Sequence, residues 1–178
     1  MPSAVLSLAE LNGLPRERFV AAVGPAWEES PWVAELAWES RPFRDLDALH
    51  GAMVAAVRAA PREWQLALIR AHPDLGRRVA VGPALTAEST REQASAGLDR
   101  LTAAELERFQ ALNAAYRARF GFPFVVCVRE HSRASILAQF ERRLGQSAEQ
   151  EVETALGEIA KIARLRLEEK LATAEEGG

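Results

Sequence analysis

The chain has 178 residues, 48% apolar and 26% charged, enough to bury a core as one globular domain over residues 1–178 without disulfides or metals. A formal net charge of −3, with acids interleaved among the arginines, excludes nucleic acid as the main partner, because neutralising phosphates takes a concentrated basic face. The single cysteine, Cys127, excludes an internal disulfide, supplies no metal-ligand pair and fits a reducing compartment.

Met1-Pro2-Ser3-Ala4-Val5-Leu6 has no basic n-region and no long apolar core, and Glu10 follows soon after, so no signal peptide is expected. No run approaches the ~18 apolar residues of a membrane span. The tail from Thr173 to Gly178 does not end in a peroxisomal Ser-Lys-Leu address, so the expected location is cytoplasmic, with no membrane partner.

Alanine, leucine, arginine and glutamate dominate, and apolar residues recur at three- and four-residue spacings, which predicts an all-α fold. Ser7 with Glu10 forms a capping-box pattern and starts a helix near 8; Pro15 is a first-turn proline of the next. Ser30-Pro31 reads as a cap followed by an N1 proline, giving a start near 31. Asp45 and Asp47 lie at the start of a helix reaching about Ala60; His50 falls inside it and reads as structural. Pro61 opens a further helix, which must stop at Ala71-His72-Pro73-Asp74-Leu75-Gly76, because proline disfavours helical backbone in the residue before it. Gly76 to Pro83 reads as a loop. Thr102 with Glu105 and Ser147 with Gln150 mark starts near 103 and 148. The expectation is a single-domain bundle of eight or nine helices, with a short irregular or extended segment near 120–129.

That segment, Phe120-Gly121-Phe122-Pro123-Phe124-Val125-Val126-Cys127-Val128-Arg129, joins a glycine suited to the left-handed C′ position to a proline and a β-branched run. Its amides cannot be satisfied by a helix, so they bond to side chains, to water or to a ligand. His72 is placed by backbone geometry at a helix end, a suitable position for a proton donor or acceptor, although on these residues alone a helix stop with a surface histidine is the better reading. Helical spacing puts Ser89, Glu92, Gln93 and Ala96 on one face, poor as core but able to hold a polar ligand. Two readings stay open there. Ser89 with Glu92 also matches a capping box, whereas a cap at Thr86 places both inside the helix and frees their side chains.

In the last helix Val152, Ala155, Leu156, Ile159, Ile162 and Ala163 form an apolar stripe whose next position is Arg166. A guanidinium there takes an internal carboxylate, carbonyl groups or an anionic ligand, or snorkels to water. Arg164 lies on the polar face with Lys161 and Glu168. Cys127 and His131 have a nucleophile–base spacing, but the apolar run around Cys127 favours a buried, inert thiol.

Taken together, His72 to Gly76, then Leu85 to Leu98, then Phe120 to Arg129 closely resemble the 2-oxo-4-hydroxy-4-carboxy-5-ureidoimidazoline (OHCU) decarboxylase family. Weaker similarity runs through Ser40-Arg41-Pro42-Phe43 and Lys161 to Leu167. The resemblance implies an all-helical enzyme of urate catabolism, without metal or other cofactor and commonly a homodimer, that converts OHCU to (S)-allantoin with release of carbon dioxide. Carried over residue by residue, it implies that His72 is the catalytic acid/base and that Glu92 and Arg166 act with it. Pro73, the segment Ser89, Thr90, Arg91, Glu92 and Gln93, and the backbone of Phe124, Val125, Val126, Cys127 and Val128 would line the substrate site. Arg166 is preferred to Arg164 as the site arginine because of its place on the stripe. Without the resemblance, the same residues also suit a non-catalytic helical module with a polar groove, or a partner protein that docks through residues 120–129.

Overall fold

The structure, a computed structural model, describes residues 5–76 and 85–171. Of the expected loop from Gly76 to Pro83 only Gly76 is described, and both extreme chain ends lie outside the described residues. Among the described residues the fold is all-α: α1 Leu8–Asn12, α2 Arg16–Val23, α3 Trp32–Trp38, α4 Leu46–Ala59, α5 Arg62–Arg70, α6 Ala87–Ser95, α7 Ala103–Phe120, α8 Arg133–Leu144 and α9 Ala148–Lys170. Short 3-10 turns occupy Gly24–Ala26 and Val128–Glu130.

Local chemistry sets the helix starts. Ser7 with Glu10 and Thr102 with Glu105 form reciprocal capping boxes, in which each side chain satisfies a backbone amide that the first turn leaves without a partner. Ser147 and Gln150 exchange the same pair of bonds at 3.2 and 3.1 Å. Asp45 caps α4 through the Ala48 amide at 2.8 Å. Pro15 directly precedes α2, and the Pro61 carbonyl accepts from the amides of Trp64 and Gln65 as α5 begins. Ser30 departs from expectation. Its hydroxyl donates back to the Glu28 carbonyl at 2.9 Å across a turn in which Glu29 has φ of 43°, so Pro31 takes the cap position and α3 begins at Trp32.

The residues fall into two compact units, with the divisions inside α5 and α9. In the first, described residues 5–68 and 160–171, α2, α3 and α4 pack in succession. Phe19, Trp27, Val33, Leu49, Met53 and Leu167 are among its fully buried apolar residues. The Trp27 indole N–H donates to the Met53 sulfur, and Asn12 ties α1 to the chain at Phe43 by two bonds of 2.8 Å, one given and one accepted. Leu6 and Leu171 form an isolated parallel bridge. His50 stacks on Trp27, and its Nε2 lies 2.8 Å from the Ala160 carbonyl oxygen, as a structural histidine does.

The second unit, described residues 69–76 and 85–159, packs α7 against α8 and α6 against the Val128–Glu130 turn. Its interior is aromatic: Tyr116 meets Phe120, Phe122, Phe124 and Phe140 at centroid distances of 4.6 to 6.4 Å, and Phe124 stacks on Phe140 at 3.7 Å.

Gly76 is fixed by conformation and by space. Its φ is +68°, and a Cβ there would lie 2.6 Å from Leu101 Cδ1. Gly76→Ala is therefore expected to destabilise the protein by roughly 1–3 kcal/mol, read as a lowered urea midpoint at unchanged slope. Thr102→Ala, which removes one cap, should cost about 1 kcal/mol in the same titration.

Candidate active site

α5 ends at Arg70, two residues before His72, and the His72 amide closes a last turn on the Ile69 carbonyl at 3.1 Å. His72 is 5% exposed and Pro73 is buried, so the residues that stop the helix turn inward rather than to solvent. The chain from Asp74 to Gly76 is then clamped from two helices. From α6, the Gln93 amide group donates to the Asp74 carbonyl at 3.2 Å and its oxygen accepts the Gly76 amide at 3.1 Å. From α7, Asn113 donates to the Leu75 carbonyl at 3.0 Å, and Arg117 Nε holds the Asp74 carboxylate at 2.9 Å. Asp74 is thus paired with Arg117, and Gln93 joins the His72 loop to the helix that carries Glu92.

The open question about α6 is settled by its cap. Thr86 accepts from the Ser89 amide at 3.1 Å, which leaves Ser89 and Glu92 inside the helix, and both are buried together with Gln93. Thr90 and Arg91 are exposed on the other side, the Thr90 hydroxyl returning to the Thr86 carbonyl. The expected substrate-lining stretch is therefore divided: Ser89, Glu92 and Gln93 face inward, and Thr90 and Arg91 face out.

The irregular segment begins where Gly121, at φ 77°, ends α7, and its carbonyl accepts from Arg70 Nε at 3.2 Å. Phe122 to Val128 are all buried. Among the described residues the amides of Phe124, Val125, Val126, Cys127 and Val128 donate to no backbone carbonyl or side chain. Such buried donors are rare in a folded protein and suit an anionic or carbonyl oxygen. Burial pushes the Cys127 thiol up to about 11, and the carboxylates of Glu130, Glu158 and Glu92 add to the rise. A thiol so disfavoured as thiolate fits the expected buried, inert cysteine. Its proposed base, His131, has Nδ1 within 3.1 Å of the Ser135 hydroxyl.

Arg166 belongs to the first unit, where it is 2% exposed. Its guanidinium donates to Glu28 at 2.6 Å and to the Pro25 carbonyl at 3.3 Å. The end of the apolar stripe is met by an internal carboxylate rather than by snorkelling. Arg164 pairs with Asp47 and Glu168 at the surface.

Sequence reasoning overlooked Arg143, Glu151, Asn113 and Arg117. A signal existed for the first two. Arg143 extends the buried Ile136–Phe140 spacing of α8, and Glu151 lies on the same face of α9 as Ala155 and Ile159, the same anomaly that singled out Arg166. Asn113 and Arg117 lie four residues apart on α7, a common arrangement for a solvated face, and only the folded loop shows what they hold.

The sequence matches the family described as OHCU decarboxylase over residues 12–168. A 2-oxo-4-hydroxy-4-carboxy-5-ureidoimidazoline decarboxylase of Halalkalicoccus jeotgali is 49% identical over 164 residues, 92% of this chain and 91% of that protein. One of Haloferax volcanii is 49% identical over 168 residues, 94% of this chain and 98% of that protein. Among solved structures, one titled as a crystal structure of (S)-allantoin synthase superposes with a TM-score of 0.77 at 32% identity, covering 95% of this chain; this chain spans 55% of that one. With a family match over most of its length and relatives at this identity, the chain belongs to the OHCU decarboxylase family.

Proposed function

We propose that the chain decarboxylates OHCU to (S)-allantoin in urate breakdown, without metal or organic cofactor, and that His72 is its acid/base. The observation that carries this reading is the Gln93 clamp, which fastens the loop bearing a buried histidine to the helix bearing a buried glutamate. The names of the relatives support the substrate.

The chemistry sets the requirements. The bond to the carboxylate breaks, carbon dioxide leaves, and the electron pair stays on the ring, shared with its carbonyl and ureido groups. One proton is then returned to a single face. His72 moves that proton, an effect of roughly 10²–10⁴-fold for a positioned acid/base. Glu92 holds the substrate hydroxyl. Gln93, with one donor hydrogen beyond the clamp, serves the ureido group, while Ser89 and Pro73 line the same side. The amides of Phe124 to Val128 stabilise the developing oxyanion, fixed donors being worth more in a dry site than in water. Reprotonation on one face follows from fixed geometry.

The family match at 12–168 runs through both compact units, which supports a single functional domain. The same reading takes the protein to be a cytoplasmic homodimer with no nucleic-acid partner. No helix among the described residues is long and apolar enough to cross a membrane.

His72→Asn is expected to abolish enantioselective allantoin formation and lower turnover by roughly 10²–10⁴-fold, with the helical circular dichroism unchanged. Near-normal turnover would sink the assignment. Arg166 calls for a paired design, because Arg166→Met alone breaks a buried ion pair and costs on the order of 3–5 kcal/mol. Arg166→Met combined with Glu28→Leu removes both charges. If Arg166 takes part in the reaction, this double variant keeps its melting temperature and loses turnover; retained turnover confines the arginine to the fold.

A further inference from the structure

The second unit buries another cation, and it touches the backbone of the irregular segment. Arg143 and Glu151 are 1% and 0% exposed. Arg143 Nη1 donates to the Val125 carbonyl at 2.7 Å, its Nε donates to Glu151 at 2.8 Å, and its guanidinium carbon stands 4.3 Å from the centre of the Phe124 ring. The Tyr116 hydroxyl donates to the same Glu151 oxygen. Burial, then that bond to Glu151, holds the Tyr116 hydroxyl above its usual range, so it remains a donor.

Filling the core does not by itself call for a charged pair. Taking two ions out of water costs several kcal/mol per ion, and well-packed apolar residues of similar volume often serve a core as well or better. The pair is also incompletely used, since Arg143 Nη2 and Glu151 Oε2 have no hydrogen-bond partner among the described residues. What apolar residues cannot do is hold a carbonyl oxygen. A trans peptide group is planar, with its C=O and N–H pointing in opposite directions. Pinning the Val125 oxygen on Arg143 therefore fixes the Val126 amide to point away from Arg143. That amide donates to no described residue.

We propose that Arg143 is a positioning residue for the decarboxylation: by holding the Val125 carbonyl, with Glu151 and Tyr116 holding Arg143, it aims the Val126 amide at the oxygen that gains negative charge. This rests on the reading of the Phe124–Val128 backbone as an oxyanion contact. Because such a contact strengthens as charge develops, losing its aim lowers kcat more than it raises KM.

The test removes the whole network at once, so that no charge or hydroxyl is left stranded: Arg143→Met with Glu151→Leu and Tyr116→Phe, assayed for kcat, KM and melting temperature on freshly generated OHCU. The expected result is a melting temperature near that of the wild type, kcat lower by about 10–100-fold, and KM changed less than about threefold. A folded triple variant with wild-type kcat overturns the proposal. Should that variant lose its helical circular dichroism, Arg143→Lys, which keeps a charge opposite Glu151 without the planar fork, gives the same comparison. Reduced kcat at an unchanged melting temperature then supports positioning, and full kcat overturns it. A wild-type chain that does not turn over OHCU rejects the functional reading, a result the same assay keeps separate.

Discussion

The segment from Phe122 to Cys127 is buried without belonging to a helix or a sheet, and the second unit is organised around that constraint. A buried peptide group without a partner costs on the order of 1–3 kcal/mol, so a run of them survives only when neighbours hold it from several sides. Gly121 turns the chain out of α7, Arg70 takes the Gly121 carbonyl, Arg143 takes the Val125 carbonyl, and Tyr116 and Phe140 pack against Phe124. α6 packs against the turn that follows. Two carbonyls, those of Gly121 and Val125, are held by cations, while the amides from Phe124 to Val128 find no acceptor among the described residues.

α9 shows how one helix serves two interiors. Its apolar stripe carries a charge toward each end, Glu151 in the second unit and Arg166 in the first, and each is buried against an opposite charge, Arg143 and Glu28. Breaking either pair by one substitution strands an ion, whereas replacing both partners with apolar groups is often tolerated. A loss of stability after a single substitution at Arg166 or Arg143 therefore says little about function, and the two roles separate when both partners are changed or when the variant keeps its melting temperature.

Much of this was legible in the sequence because it is local. Capping boxes at Ser7, Thr102 and Ser147 involve residues three apart, and the stop before Pro73 and the glycine at 121 follow from backbone sterics alone. Ser30 went astray because its hydroxyl had a nearer acceptor, the Glu28 carbonyl, made available by the positive φ of Glu29. The inward face of α6 was legible from helical period, but the cap that places Ser89 and Glu92 inside the helix had two candidates, and only the bond from the Ser89 amide to Thr86 decides between them. Pairings across the chain were not legible: a buried cation at 143 or 166 announces that it needs a partner, and its sequence does not say which carboxylate answers. The clamp on the His72 loop is hidden for the same reason, since Gln93, Asn113 and Arg117 reach it from 17 to 43 residues away.

The proposed substrate site joins the loop of His72, the inward face of α6 and the amides of Phe124 to Val128. Backbone amide NMR of the isotopically labelled chain, with (S)-allantoin added, tests it most directly. A site so built predicts shifts and slowed hydrogen exchange at the amides of Phe124 to Val128, together with shifts at His72 and Glu92. Binding that leaves those amides unmoved and perturbs residues elsewhere would contradict it.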